Sequence, residues 1–197
     1  MPNRNADKIP YGFLKLSDLP DGNTSDEVML LPADMTFATT GDFAAVAKNP
    51  CGAVCASNVL LSLTAEDPAG EALSGTPAAG SIFDVMHRII GNGPVFTLNR
   101  GIKKGASVFG KVILSERAVS CPDIIHALDR GMPVALLLSN SLFDWHWVLC
   151  VGYRRYPLST GGRTYLRLAN SWQPKADIFY LPGEGSRILS GRAYHLG

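Results

Sequence analysis

The sequence predicts an α+β protein, because helix-like and strand-like patterns occur in different halves of the chain. Residues 51–63 are apolar around nearly the whole helix circumference, which indicates a buried helix in the first half. Residues 146–153 and 164–169 are rich in β-branched, aromatic and other apolar residues, which favours strands in the second half. Helices followed by strands, without regular alternation of the two, are typical of the α+β class.

The composition supports a single domain over residues 1–197. Hydrophobic residues make up 46% of the chain and charged residues 18%, a balance that supplies a buried core. The 18 Lys and Arg residues against 17 Asp and Glu residues give a net charge of +1, so there is no basic surplus with which to bind nucleic acid. Within the domain we distinguish an N-terminal arm (1–45), a helical half (about 46–105) and a sheet-rich half (about 106–197).

The first half is predicted to contain the arm and then two helices. Turn-forming residues interrupt the arm, which we expect to lie on the body of the protein, at Pro10, Pro20, Gly22 and Pro32. Pro50 suits the start of the buried helix, where its missing N–H costs nothing. A loop rich in Ala, Pro and Gly is predicted over 64–80 and a second helix over 81–90.

The second half is predicted to contain one helix and five strands. The helix covers 122–130 and is ended by Gly131. The strands cover 107–114, 132–138, 146–153, 164–169 and 177–181. The third and fourth strands form a hairpin through the turn-rich residues 159–162.

Sequence features that would indicate a membrane, a metal or a cofactor are weak. No signal-peptide pattern opens the chain and its apolar stretches are too short to cross a bilayer, so we expect a cytoplasmic protein without a membrane partner. Cys51 and Cys55 form the only close cysteine pair, whereas Cys121 and Cys150 stand alone in apolar segments, so no metal site is predicted. Residues 105–111 resemble a phosphate loop but are followed by Val112, which lacks the required hydroxyl, and no cofactor is predicted.

Three short segments carry residues suited to thiol chemistry. Cys51 follows Pro50 at the predicted start of the buried helix, where free N–H groups and the helix dipole lower a thiol pKa. His146 opens an apolar strand, and Asn170 and Trp172 lie 24 and 26 residues further on in the sequence Asn-Ser-Trp. The order of these residues along the chain is Cys, His, Asn.

In these segments the chain resembles the papain-like cysteine peptidases, and its motifs are most similar to the bacteriocin-processing (double-glycine leader) branch and its bacterial relatives. The resemblance implies a helical lobe, with the nucleophile at a helix N-terminus, packed on an antiparallel sheet lobe. It implies that Cys51 is the nucleophile, His146 the base and acid, and Asn170 the residue that orients the imidazole. Trp172 would shield the His146–Asn170 contact from water.

Two choices remain open within this site. Cys55 lies one helical turn beyond Cys51 and is the alternative nucleophile, six residues after Asn49, the interval that papain has between its glutamine and its cysteine. Cys51 is favoured because it lies nearer the free N–H groups of the helix start. The glutamine that the family uses as oxyanion donor is replaced by Ala45, six residues before Cys51, so Asn49 is the candidate donor with the Cys51 N–H.

The function that the resemblance implies is thiol-dependent cleavage of a peptide or isopeptide bond in a peptide or protein substrate. An amide transferase that passes the acyl group to an amine would use the same three residues. A papain-like protein that binds its partner without catalysis is the third hypothesis. The rate at which Cys51 is alkylated distinguishes the third from the first two.

Overall fold

The computed structural model describes residues 10–65, 76–157 and 162–197, which contain four α-helices and eight β-strands. The helices are α1 (Cys51–Thr64), α2 (Thr76–Ile90), α3 (Leu98–Val108) and α4 (Cys121–Asp129). The strands are β1 (Phe13–Lys15), β2 (Asp26–Met29), β3 (Ile113–Arg117), β4 (Val134–Ser141), β5 (Asp144–Tyr156), β6 (Arg163–Ala169), β7 (Ile178–Tyr180) and β8 (Arg187–Leu196). The α+β class is confirmed.

The strands form one antiparallel sheet in the order β1-β7-β6-β5-β4-β8-β3, and β2 pairs with the second half of β5. Strand β5 is 13 residues long and pairs with β4 over its first half. Pairing of β5 with β6 begins only at Leu149, opposite Ala169. The first residues of β5 therefore extend beyond the end of β6, and the chain after Ala169 bends into the space beside them.

The two faces of the sheet bury different elements. Alternate residues of β4 and β5, such as the pair Leu137 and Trp147, face a core that contains α1, α2 and α3. The intervening residues, such as the pair Leu136 and Val148, face a second core that contains α4 and part of the arm. This two-residue alternation is the periodicity expected of strands buried on both sides.

Helix α1 is buried along almost its whole length, as its apolar sequence predicts. Its polar Asn58 is fully buried and makes two hydrogen bonds to one residue of the arm. The Ala38 N–H donates to Asn58 Oδ1 at 2.9 Å, and Asn58 Nδ2 donates to the Ala38 carbonyl at 3.0 Å. The Asn58 side chain thus pairs with the N–H and carbonyl of Ala38 as a neighbouring strand would, and it attaches the arm to α1.

Most of the predicted elements are present. The predicted helices at 51–63, 81–90 and 122–130 correspond to α1, to the second part of α2 and to α4. The predicted strands at 132–138, 146–153, 164–169 and 177–181 correspond to β4, β5, β6 and β7. The predicted hairpin pairs as expected, although most of its turn, 158–161, lies outside the described residues. Residues 66–75 of the predicted loop at 64–80 also lie outside them, and α2 already begins at Thr76.

The strand predicted over 107–114 is wrong. Helix α3 extends to Val108, and strand β3 starts only at Ile113. The amphipathic face of α3 packs Ile102 and Ala106 into the helical core, and this burial outweighs the strand propensity of the residues that follow. Strand β8 was not predicted, because its polar residues interrupt any apolar run, yet it is paired on both sides, with β4 and with β3.

Candidate active site

Cys51 is the first residue of α1, and its sulfur meets backbone N–H groups from two elements. The N–H of Trp147 in β5, and those of Gly52 and Cys51 at the helix start, favour the thiolate and act to lower the Cys51 pKa. Pro50, at the N-cap position, offers no side-chain cap to compete for the helix donors. The thiol is 1% exposed. Cys51 is thus placed where its thiolate would be stabilised, beside the residue that follows His146.

His146 lies in the part of β5 that extends beyond β6. Its Nε2 is 2.7 Å from the backbone carbonyl oxygen of Asn170, the first residue after β6. Because a carbonyl oxygen only accepts, this contact requires Nε2 to carry the proton, which leaves the lone pair on Nδ1. Nδ1 is therefore the ring nitrogen that is able to accept a proton.

Asn170 contacts His146 through its carbonyl group, whereas the resemblance implied an orienting side chain. The side-chain Oδ1 of Asn170 instead accepts the N–H groups of Trp172 and Gln173, at 3.0 and 3.1 Å. These two bonds close a tight turn in which Ser171 has a φ of 64°, in the left-handed region. The side chain therefore shapes the turn, and the turn presents the carbonyl to the imidazole.

Trp172 covers the imidazole. Its ring stacks on the ring of His146, with centroids 4.3 Å apart and planes 20° apart. The Asn170 turn places it there, since the Trp172 N–H is one of the groups held by Oδ1. His146 is 4% exposed, so the contact between His146 and Asn170 lies out of water.

Burial sets the charge of both groups in this structure. It raises the pKa of the Cys51 thiol, and the hydrogen bonds from Trp147, Gly52 and Cys51 offset only part of the effect. Burial also lowers the pKa of His146 to about 4, although the Asn170 carbonyl and the nearby Asp144 charge act to raise it. At pH 7 the pair is therefore a neutral thiol and a neutral imidazole. The expectation that the helix start lowers the thiol pKa is wrong for this state, because desolvation outweighs the dipole.

Cys55, the alternative nucleophile, lies deeper in α1. It has no exposed surface and belongs to the helical core. Burial raises its pKa, and the charge of a Cys51 thiolate would raise it further. The geometry therefore favours Cys51 over Cys55 as the reactive thiol.

Asn49 precedes Pro50, the N-cap of α1, and is exposed. Its backbone has a φ of 53°, and its carbonyl accepts the Gly93 N–H at 2.8 Å. The same loop is held from the other side, because Trp147 Nε1 donates to the Val95 carbonyl at 3.0 Å. These contacts fix the loop between α2 and α3 against the start of α1. The role of the Asn49 side chain as oxyanion donor stays a prediction.

Two residues at the site were not singled out in the sequence. Tyr11, in the arm, is buried against His146, with ring centroids 5.5 Å apart, and its hydroxyl donates to Asp144 Oδ1. The Asp144 Oδ2 accepts from Asn140 Nδ2 at 3.3 Å. The alternation of a strand places Asp144 on the same face as His146, which was a usable signal. Nothing in the sequence Pro-Tyr-Gly indicates that the arm reaches this site.

Two structural features bear on the predicted absence of membrane and metal partners. No helix in the described part of the chain is long and apolar enough to cross a membrane. Over the same residues, no three His, Cys, Asp or Glu side chains gather closely enough to hold a metal ion.

Comparison with known proteins gives a distant likeness only. No protein-family model matches the chain, and no curated protein matches it. The crystal structure of a proposed C39-like peptidase from Bacillus anthracis superposes with a TM-score of 0.48 and 11% sequence identity. The superposition covers 86% of this chain and 98% of that one.

Proposed function

We propose that this protein is a papain-like thiol hydrolase that cleaves a peptide or isopeptide bond of a peptide or protein substrate. Cys51 is the nucleophile in this proposal and His146 the base and acid. Two observations support it. Backbone N–H groups, including that of Trp147 next to His146 in the chain, favour the Cys51 thiolate, and the Asn170 carbonyl holds Nε2 of His146 and leaves Nδ1 free.

The reaction would begin with transfer of the Cys51 proton to Nδ1 of His146. The thiolate then attacks the carbonyl carbon of the scissile bond and forms a C–S bond. The C–N bond breaks as His146 returns the proton to the leaving amine, which leaves a thioester on Cys51. Water attacks the thioester while His146 takes its proton, and the free acid and the thiol are restored.

Asn170 would support each step by acting on His146. When Nδ1 takes a proton the ring becomes an imidazolium, and the Nε2–H bond to the Asn170 carbonyl becomes charge-assisted and stronger. The ring is also kept from rotating by the stacked Trp172. Asn170 and Trp172 are thus positioning residues, which act through His146.

The oxyanion of the tetrahedral intermediate would be stabilised beside the helix start. We assign one donor to the backbone N–H of Cys51 and the other to the side-chain amide of Asn49, two residues earlier. Asn49→Ala should lower kcat and leave KM nearly unchanged, because the bond strengthens only as charge develops on the oxygen. An unchanged kcat would assign the second donor elsewhere.

Turnover of a quenched fluorescent peptide library tests the proposal. The wild-type protein is assayed beside Tyr11→Ala, because Tyr11 covers the site. We expect Cys51→Ala and His146→Ala to lose turnover by a factor of about a thousand or more. Cys121→Ala, at a half-buried cysteine at the start of α4, is the matched control and should keep it.

The same assay separates the alternatives. Incorporation of a fluorescent primary amine into the peptide, in place of hydrolysis, would identify an amide transferase. Turnover that survives in Cys51→Ala would overturn the assignment of the nucleophile. Absence of turnover in both the wild-type protein and Tyr11→Ala would indicate a papain-like protein that binds without catalysis.

A further inference from the structure

Tyr11 occupies a defined position inside the candidate site. Its ring lies 5.5 Å from that of His146 and 6.0 Å from that of Trp172, measured between centroids. Its hydroxyl donates to the Asp144 carboxylate, and the residue is only 4% exposed. A thiolate at Cys51 would raise the pKa of this hydroxyl further. A phenol therefore fills the space next to His146 and Trp172.

The backbone of the arm is poorly suited to this position. Tyr11 has a φ of 66°, in the left-handed region that a side chain makes unfavourable. The contacts of its side chain must therefore offset a strained backbone. A separate peptide that placed a tyrosine there from an extended backbone would make the same contacts without that strain. Such a peptide is able to compete with the arm.

The arm has attachments that do not depend on Tyr11. Strand β1 pairs with β7 over three residues, and its last residue, Lys15, is the N-cap of the short helical turn Leu16–Asp18. Gly12 lies so close to the backbone of Gly185 that an added Cβ would be 2.9 Å from its Cα. Removal of the Tyr11 side chain should therefore empty its position and leave the rest of the arm in place.

We propose that the space between Asp144, His146 and Trp172 is a binding subsite for a tyrosine side chain of the substrate, which the chain's own Tyr11 occupies in this structure. The proposal rests on the proposed function, since it names the class of residue recognised beside the scissile bond. Tyrosine is preferred over phenylalanine because its hydroxyl donates to Asp144 Oδ1, a bond that a phenyl ring cannot make. While Tyr11 is in place, the arm excludes substrate and water from Cys51 and His146.

Access to Cys51 provides the first test. Intact-mass spectrometry follows alkylation by iodoacetamide at pH 7 in the wild-type protein, in Tyr11→Ala and in Leu16→Ala. Leu16→Ala is the control, because Leu16 lies in the same arm and is 53% exposed. We expect Cys51 of Tyr11→Ala to react about tenfold faster or more, the factor for losing one hydrogen bond to a charged group. Leu16→Ala should react at the wild-type rate, and equal rates in all three proteins would overturn the proposal.

Ligand selectivity provides the second test, with Tyr11→Ala as the protein. N-acetyltyrosinamide should slow the alkylation of Cys51, and N-acetylphenylalaninamide should do so at least about tenfold less effectively. Asp144→Asn in the same background should remove most of this difference. Equal protection by the two probes, or protection by neither, would overturn the proposal. Should Tyr11→Ala fail to fold, Tyr11→Phe keeps the ring, and its Cys51 should still react faster than the wild-type thiol.

These readouts do not depend on turnover. A protein without peptidase activity would still show faster labelling of Tyr11→Ala and selective protection by tyrosine if the subsite exists. A peptidase in which neither effect occurs would keep its proposed function and lose the subsite. The two proposals therefore fail separately.

Discussion

The buried, neutral state of His146 has a consequence for stability that can be measured. The pKa of this histidine is about 4 in the folded protein and is close to 6.5 in an unfolded chain. The unfolded state therefore binds the proton more tightly, so the folded protein loses stability as the pH falls from about 6.5 through 4. Above pH 6.5 both states hold a neutral ring and the contribution is fully present.

The magnitude follows from the two pKa values. At 1.36 kcal/mol per pH unit, the loss is about 2 kcal/mol at pH 5 and about 3 kcal/mol at pH 4, relative to pH 7. Burial causes the shift, while the Asn170 carbonyl and the Asp144 charge reduce it. Because carboxylates titrate in the same range, the effect has to be taken as a difference from a protein that lacks the imidazole.

Urea unfolding followed by tryptophan fluorescence at pH 7, 5 and 4 measures this difference. Wild-type protein should lose about 3 kcal/mol more than His146→Gln between pH 7 and pH 4. His126→Gln, at an exposed position of α4, is the control and should follow the wild-type curve. Parallel curves for the wild-type protein and His146→Gln would refute the reasoning, since they would show that His146 protonates as easily in the folded protein as in the unfolded chain.

Three further predictions concern the supports of the site. Asn170→Ala should cost about 1–2 kcal/mol of unfolding free energy, because two N–H groups lose their acceptor, whereas Asn170→Asp keeps the acceptor and should unfold within about 0.5 kcal/mol of wild type. Asn58→Ala should lower the free energy of unfolding by about 2–4 kcal/mol, because it leaves the buried N–H and carbonyl of Ala38 unpaired. A loss below about 1 kcal/mol in urea unfolding would contradict this. Gly152→Ala should lower the free energy of unfolding by roughly 3 kcal/mol or more, since the new Cβ would lie 2.2 Å from the Val28 carbonyl oxygen. Thermal or urea unfolding measures this loss, and a curve like that of wild type would show that β2 moves freely.

The parts of the fold that sequence alone predicts are those whose burial leaves a periodic pattern. Helix α1 and strands β4, β5 and β6 are long and apolar, and each was predicted within a few residues of its bounds. Strand β8 has no such pattern, because Ser190, Gly191 and Arg192 stand in its middle. Its place depends on hydrogen bonds to β4 and β3, which are chosen by tertiary pairing and not by local composition.

The candidate site shows the same division. Cys51, His146 and Asn170 were selected by residue type and order. The structure joins His146 to Asn170 and places Cys51 at the start of α1, near the Trp147 N–H of β5. The atom by which Asn170 contacts His146 was not predictable, because a turn closed by its own side chain exposes its carbonyl. The position of Tyr11 was not predictable either, since it depends on where a short arm strand pairs with β7.

The charge of the site was the property that could least be predicted from the sequence. A helix start lowers a thiol pKa and burial raises it, and sequence does not tell how deeply Cys51 is buried. The arm and Trp172 exclude water from His146, and this desolvation decides the direction in which its pKa moves. The resting site is thus neutral, and activation requires water or substrate to reach it.

The central claim, that Cys51 is a nucleophile activated by His146, is tested most directly by a peptidyl epoxide and peptide mapping of the adduct. The reagent is applied to the wild-type protein, to Tyr11→Ala and to Tyr11→Ala combined with His146→Ala. We predict a single adduct on Cys51 that forms fastest in Tyr11→Ala and is lost or strongly slowed when His146 is replaced. An adduct on Cys55, or one on Cys51 whose rate is the same with and without His146, would contradict the claim.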